Sequence, residues 1–179
     1  MLVKGTINHK YQPIGGVYHF SNDDVKKRLG FSRDSSYGDP EDIRGTILCK
    51  DIKRFFRWMN QKTDREVGIE REFSEELIQT NILDSALFVA KNLVFDKRII
   101  YKMHWSVHNN VNEVIFFDIY DLQMSEEQKK FIAGLSKQNT DKYGFFTSEE
   151  IFAEGVTSEN SVSIISNHSK YICKEYSNE

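Results

Sequence analysis

The sequence predicts an α/β fold, and two observations support this prediction. Segments rich in β-branched and aromatic residues alternate along the chain with segments that have helical spacing and helix caps, an order that suits a mixed sheet packed between helices. Hydrophobic residues make up 39% of the 179 residues, and aromatic residues 13%, which is enough to form one core. We therefore expect a single domain over residues 1–179.

Composition excludes several classes of function. The net charge is −3, so the chain lacks the basic excess that binding to a nucleic-acid polymer requires, and a nucleotide partner should be a small one. Cys49 and Cys173 lie far apart and lack metal-ligand spacing, which is typical of free thiols. No run of about 18 apolar residues is present, so the chain as written is expected to be soluble.

Helix caps and a glycine pair organise the first half of the chain. Asn22 belongs to a polar cluster that is placed to cap a short helix, and Gly30 is placed to end it. At Gly15 and Gly16 the bare backbone either approaches a ligand or forms a β-bulge. The expected elements are a strand at 11–20 interrupted by the glycines, a short helix through Leu29, a loop at 31–42, a strand at 43–48, a helix after Asp51 and a charged loop at 61–70. The core stripe of the helix after Asp51 consists of Ile52, Phe55, Phe56 and Met59.

The second half predicts an antiparallel meander followed by short helices. Ser125 with Gln128 has the spacing of a capping box, and Thr147 or Ser148 is placed to cap the next helix. The expected elements are strands at 86–95, 99–108 and 113–121 with a turn at Asp96-Lys97, a helix at 126–133, a strand at 142–146, and helices at 149–154 and 161–174.

The most informative stretch is the heptapeptide at 71–77, Arg-Glu-Phe-Ser-Glu-Glu-Leu. As a helix it places Glu72, Glu75 and Glu76 on one face and its two apolar residues on another. Crowded carboxylates repel one another, so this face must be solvated, paired with cations, or bound to a divalent metal through oxygen. Arg71 lies one turn before Glu75 and is the expected internal partner.

The pattern Arg-Glu-apolar-X-Glu-Glu resembles the second half of the Nudix box, which holds magnesium in hydrolases of nucleoside diphosphate derivatives. The resemblance implies Glu72, Glu75 and Glu76 as metal ligands, with Glu75 and Glu76 as the catalytic residues if the chain is a hydrolase. The first half of the box is missing, because Arg57 and Thr63 stand where a Gly and a Glu are expected.

A glycine pair of the kind that precedes the box lies far upstream, in the stretch Gln-Pro-Ile-Gly-Gly at 12–16. About 41 residues are therefore inserted between these glycines and the acidic helix, within an insertion over about 17–70. With Phe-Phe-Arg-Trp at 55–58, these features resemble the SMODS-associated Nudix-like domain of CBASS anti-phage effectors. This resemblance implies an α/β/α sandwich with a mixed sheet.

Three functions remain open at this point. The resemblance implies a receptor that binds a cyclic di- or trinucleotide and activates a membrane effector; such a domain needs no cofactor. The alternative is a magnesium-dependent Nudix hydrolase, which the broken box disfavours, and the third is a structural domain with an inherited acidic helix. A receptor is expected to be a homo-oligomer on the cytoplasmic side of the inner membrane, tethered only through segments outside this chain.

Candidate ligand contacts follow from the same resemblance, which puts the glycine strand and the meander around the pocket. On the middle strand of the meander, Lys102 and His104 share a polar face that either binds phosphate or is simply exposed. Aromatic residues at 58, 101 and 105 either stack on bases or belong to the core. The candidate ligand-binding residues are Gln12, Gly15, Gly16, Arg44, Arg71, His104 and Trp105.

Overall fold

The computed structural model describes residues 1–5, 9–34, 42–61, 65–66, 68–89, 92–107, 109–138, 140–156 and 162–176. Strands and helices alternate along the chain, which confirms the predicted α/β class. The chain divides into two compact units, here called the large unit, Met1–Ile14 with Leu83–Glu179, and the small unit, Gly15–Ile82. The prediction of one domain over residues 1–179 stays a prediction.

The large unit contains a three-stranded antiparallel sheet of very short strands. Its order is β2-β1-β9, with β1 in the centre. An isolated parallel bridge also joins Tyr11 to Ile165. The strands are β1 Leu2–Lys4, β2 Tyr11–Gln12 and β9 Tyr143–Gly144.

A long hairpin replaces the predicted three-stranded meander. Strand β7 spans Asn92–Ser106 and pairs antiparallel with β8, which spans Val111–Gln123. The prediction of a turn at Asp96-Lys97 is wrong, because the strand continues there and only its register with β8 shifts between Phe95 and Lys97. A β-bulge absorbs the extra residue locally while the pairing resumes beyond it.

The helices of the large unit begin where their caps predict. The side chains of Ser125 and Gln128 form a reciprocal capping box at the start of α4, Glu126–Leu135. Thr147 and Glu150 do the same for α5, Ser148–Phe152. In place of the expected C-terminal helix at 161–174, a shorter 3-10 helix covers Asn167–Ile172.

In its described residues, the small unit has two strand pairs and three α-helices, with a 3-10 turn at Cys49–Asp51 before the second of these helices. Its pairs are β3 His19–Phe20 with β6 Arg65–Glu66, and β4 Phe31–Arg33 with β5 Gly45–Ile47. The loop expected at 31–42 is therefore wrong at its start, where β4 forms; residues 35–41 lie outside the described part. The helices are α1 Asp23–Leu29, α2 Ile52–Gln61 and α3 Ile69–Phe73.

Aromatic packing fills the core of the small unit. Trp58 is 4% exposed and its ring stacks on Phe20 at 5.3 Å, so Trp58 is a core residue and not a platform for a ligand. Asn22 caps α1 through its side chain, and Gly30 ends the helix with φ of 65°, both as predicted. Among the described residues, no helix is long and apolar enough to cross a bilayer.

The β7–β8 hairpin depends on a buried ion pair. Arg98 and Asp118 are register partners, and the guanidinium donates to both carboxylate oxygens, at 2.5 Å and 2.7 Å. The side chains are 12% and 1% exposed, respectively. Removing one partner of a buried pair leaves the other charge uncompensated.

We therefore expect Asp118→Ala to lower the free energy of unfolding by about 3 to 5 kcal/mol, measured by urea denaturation. The double variant Arg98→Met/Asp118→Leu should recover most of this loss, because neither charge remains buried. Lys129→Ala, which breaks only the exposed pair with Glu126, is the control and should cost less than about 1 kcal/mol. A loss for Asp118→Ala as small as the control's would contradict this view of the hairpin.

Candidate functional site

The acidic heptapeptide forms a helix with an irregular second half. After α3 the chain continues as a π-helical turn over Ser74–Ile78, in which the N–H of Gln79 donates to the carbonyl of Ser74 at 2.9 Å. Phe73 and Leu77 are buried, as their spacing predicts. Such π turns insert one extra residue into a helix and occur frequently at functional sites.

Arg71 lies among three carboxylates. Its Nη2 is 2.8 Å from Glu72 Oε1, and its Nη1 donates to Glu75 Oε2 at 3.1 Å, which confirms the predicted pair. Its Nε lies 4.0 Å from Glu66. Burial acts to lower the pKa of Arg71, but the carboxylates, Glu72 foremost, outweigh burial and raise it. The guanidinium thus serves as the internal cation of the acidic face.

Glu76 is the carboxylate that Arg71 does not compensate. Burial, together with the negative charges of Glu72 and Glu75, raises the pKa of Glu76 to about 7, although a hydrogen bond from the backbone of Gly15 opposes the shift. Its Oε2 is buried without a hydrogen-bond partner among the described residues. Near neutral pH this group therefore exists in both its protonated and its charged form.

The glycine pair lies against the acidic helix. A Cβ on Gly16 would stand 1.9 Å from Glu72 Oε1, whereas the corresponding position on Gly15 meets nothing within 4 Å. A side chain at position 16 would therefore have to displace the Glu72 carboxylate, which Arg71 holds. The inserted residues do not separate the glycines from the helix in space, because both belong to the small unit.

The carboxylates of the acidic helix are arranged around the guanidinium of Arg71. In the described part of the chain, no group of three or more Asp, Glu, His or Cys side chains is placed to hold a metal. Oxygen ligands suit magnesium, but here Glu72 and Glu75 contact the guanidinium of Arg71 instead. Thr63, which stands in place of the expected Glu, lies outside the described residues. The metal-ligand role of Glu72, Glu75 and Glu76 stays a prediction.

Arg44 is held at a separate position in the small unit. Its backbone N–H and its Nε both donate to the carboxylate of Asp42, at 2.8 Å and 2.5 Å. The side chain of Asp42 is almost fully buried, so this pair anchors the chain next to β5. The predicted role of Arg44 in ligand binding would require its guanidinium to bind the ligand while holding Asp42.

The other candidate contacts lie in the large unit. Gln12 pairs with Val3 in the small sheet. On β7, His104 has its Nε2 3.5 Å from Glu113 and its Nδ1 3.2 Å from the carbonyl of Lys102. Trp105 is exposed. The seven candidate residues are thus distributed over both units, and their roles in ligand binding stay predictions.

A cavity of about 760 Å³ lies in the large unit. His104 is part of its wall, but Trp105 is not. Sequence reasoning missed the residues on the opposite side, because they come from α5 and from the C-terminal segment, far from β7 along the chain. The lining residues are Arg98, Ile99, Ile100, Tyr101, Lys102, Met103, His104, Phe152, Glu175 and Tyr176.

An α/β protein whose glycine pair meets an Arg-Glu-X-X-Glu-Glu helix belongs to the Nudix-like class. Residues 1–173 match the family model described as the SMODS-associated NUDIX domain. The chain belongs to this family, that is, to the Nudix-like domains of the SMODS/CBASS type. A search of curated proteins and a search of solved structures each found no significant match.

The contacts of Arg71 predict a stability effect. Arg71→Ala should lower the free energy of unfolding by about 1 kcal/mol in a thermal or urea melt, because the remaining carboxylates repel one another. The same substitution in a Glu72→Gln/Glu75→Gln background should cost less, since the repulsion is then already removed. High salt should reduce the first effect. A melt identical to that of the unchanged protein would refute the role of Arg71.

The raised pKa of Glu76 predicts a pH dependence. Between the ordinary value of 4.5 and about 7, the folded state binds more protons than the unfolded state. The contribution of Glu76 to stability therefore falls as the pH rises through this window. Melts of the unchanged protein and of Glu76→Gln at pH 5, 6, 7 and 8 test this. The stability difference between the two should shift in favour of Glu76→Gln with rising pH, and a constant difference would contradict the prediction.

Proposed function

We propose that this domain is a receptor that binds a cyclic di- or trinucleotide in an anti-phage defence system without hydrolysing it. Membership in the SMODS-associated family supports the type of system. The observation that carries the proposal is the contact of Arg71 with Glu72 and Glu75, which makes an internal ion-pair network out of the face that would hold magnesium in a hydrolase.

Electrostatics supports binding over hydrolysis. A hydrolase of the Nudix type needs its carboxylates free to bind metal, whereas here two of them are engaged by Arg71 and the third, Glu76, has a pKa of about 7. The first half of the box, with Arg57 and Thr63, also lacks the expected Gly and Glu. The acidic helix is therefore better suited to stabilising the domain than to catalysis.

The receptor must pass ligand binding on to an effector. A ligand shifts an equilibrium only by its different affinity for the two states, so binding should change the association of subunits or of an attached membrane segment. We propose that the domain is a homo-oligomer on the cytoplasmic side of the inner membrane, tethered through segments outside this chain. A Nudix-like α/β/α sandwich with a mixed sheet is part of the same proposal, and no cofactor is required.

Calorimetry with a panel of cyclic dinucleotides and trinucleotides tests the proposal. A cyclic ligand should bind more tightly than its linear counterpart, because ring closure lowers the conformational entropy lost on binding. Chromatography should recover the ligand intact after incubation with magnesium or manganese. Light scattering with and without ligand measures the number of subunits, which should change on binding.

The same protein should show weak or no hydrolysis of nucleoside triphosphates and ADP-ribose. Glu75→Gln is the matched control, since it removes a carboxylate that a hydrolase requires while keeping the shape of the side chain. Robust turnover that is lost in Glu75→Gln, with no cyclic ligand bound, would establish the magnesium-dependent hydrolase instead.

A further inference from the structure

The cavity of the large unit follows the edge of a strand. Seven consecutive residues of β7, at 98–104, form one wall. The register with β8 shifts between Tyr101 and His104, so the regular alternation of side chains is interrupted within this run. Among the described residues β8 is the strand that pairs with β7, so the other edge of β7 has no neighbouring strand there.

A cation on this wall is available to a ligand. The ammonium of Lys102 has no hydrogen-bond or ion-pair partner within the described ranges, and the side chain is exposed. His104 lies two positions further along β7, and its imidazole contacts the carboxylate of Glu113. Arg98 differs, because it is held by buried Asp118. An anionic group in the cavity would therefore meet Lys102 first, with backbone N–H groups of the free edge as further donors.

Aromatic rings border the same cavity. Phe152 from α5 is 45% exposed, and no ring lies against it among the described residues. Tyr101 on β7 is 40% exposed and is supported from one side by Tyr171 and His104. Tyr176 is supported in the same way by the ring of Tyr171, at 4.9 Å. Rings that are at least partly exposed are suitable platforms for nucleobases.

The acidic group on the wall restricts the ligand further. Glu175 accepts a hydrogen bond from the hydroxyl of Ser148 at 3.1 Å, and its carboxylate borders the same cavity as Lys102. A ligand that fits must therefore place an anionic group near the lysine and a hydrogen-bond donor, such as the amino group of a base, near the carboxylate. A volume of about 760 Å³ falls within the range of small-molecule sites.

We propose that this cavity, and not the acidic helix, is the nucleotide-binding site, with Lys102 bound to a phosphate and the rings of Phe152, Tyr101 and Tyr176 against bases. This proposal rests on the proposed receptor function. The acidic helix is the poorer site, because a phosphodiester there would meet the carboxylates of Glu66, Glu72 and Glu75, and the guanidinium of Arg71 is already engaged by them.

Two substitutions test the site by calorimetry with the same panel of cyclic dinucleotides and trinucleotides. Lys102→Gln should weaken binding about tenfold or more and reduce its dependence on salt, because a contact between an ammonium and a phosphate is lost. Phe152→Leu should weaken binding without changing the salt dependence. Both residues are exposed, so the melting temperature should stay unchanged, which separates loss of binding from loss of folding.

Lys130→Gln is the matched control. It makes the same chemical change at an exposed position on α4 outside the cavity, and it should leave affinity unchanged. If a cyclic nucleotide binds and Lys102→Gln and Phe152→Leu bind it as well as Lys130→Gln, the site is wrong while the receptor function stands.

A titration with AMP, followed by NMR, tests the site separately from the receptor function. Shifts confined to residues 98–104, 152 and 175–176 that disappear in Lys102→Gln support a nucleotide site in the cavity. If such shifts occur while no cyclic nucleotide binds, the receptor function is overturned and the site is retained. If neither AMP nor any member of the panel binds, both proposals are overturned.

Discussion

The ion pairs of Arg71 are the interaction on which the acidic face of the small unit depends. Three glutamates that share one face of a short helix would repel one another, and a further carboxylate, that of Glu66, is also near. The guanidinium compensates Glu72 and Glu75 directly, which allows the apolar side of the same helix to bury Phe73 and Leu77. Charge pairing on one face and burial on the other are thus achieved by the same two helical turns.

This arrangement also explains why an acidic helix persists where the rest of the Nudix box is missing. Gly16 approaches Glu72 so closely that a side chain at this position would have to displace the Glu72 carboxylate, and Gly15 contributes a backbone hydrogen bond to Glu76. Glu72 and Glu76 are therefore part of the packing between the glycine segment and the helix.

The distribution of charge separates two regions with different chemistry. The acidic helix of the small unit carries more carboxylates than cations and is unfavourable for phosphate. The cavity of the large unit combines exposed rings with the ammonium of Lys102, which has no ion-pair partner within the described ranges, and these are the groups that we propose to bind a nucleotide. The family is thus recognised from the first region, whereas the second offers the better chemistry for recognition of a ligand.

The sequence by itself determined the features that depend on residues only a few positions apart. The capping box of Ser125 and the pair of Arg71 with Glu75 were predicted, because each depends on groups three or four positions apart. For α1 the sequence predicted a cap cluster and for α5 either of two residues, and the structure identifies Asn22 and Thr147 as the caps. The half-kept box, together with the glycine pair and Phe-Phe-Arg-Trp upstream of it, predicted the family, because each of these is a short sequence pattern.

Only the tertiary structure decided features that depend on distant partners. Strand β7 runs through Asp96 because β8 resumes its pairing beyond a bulge, which no local signal at Asp96 reveals. The cavity brings Lys102 together with Phe152 and Tyr176, each of which is some fifty positions or more from Lys102 along the chain. Such contacts arise from packing between elements that are distant in sequence, so the pattern of neighbouring residues does not predict them.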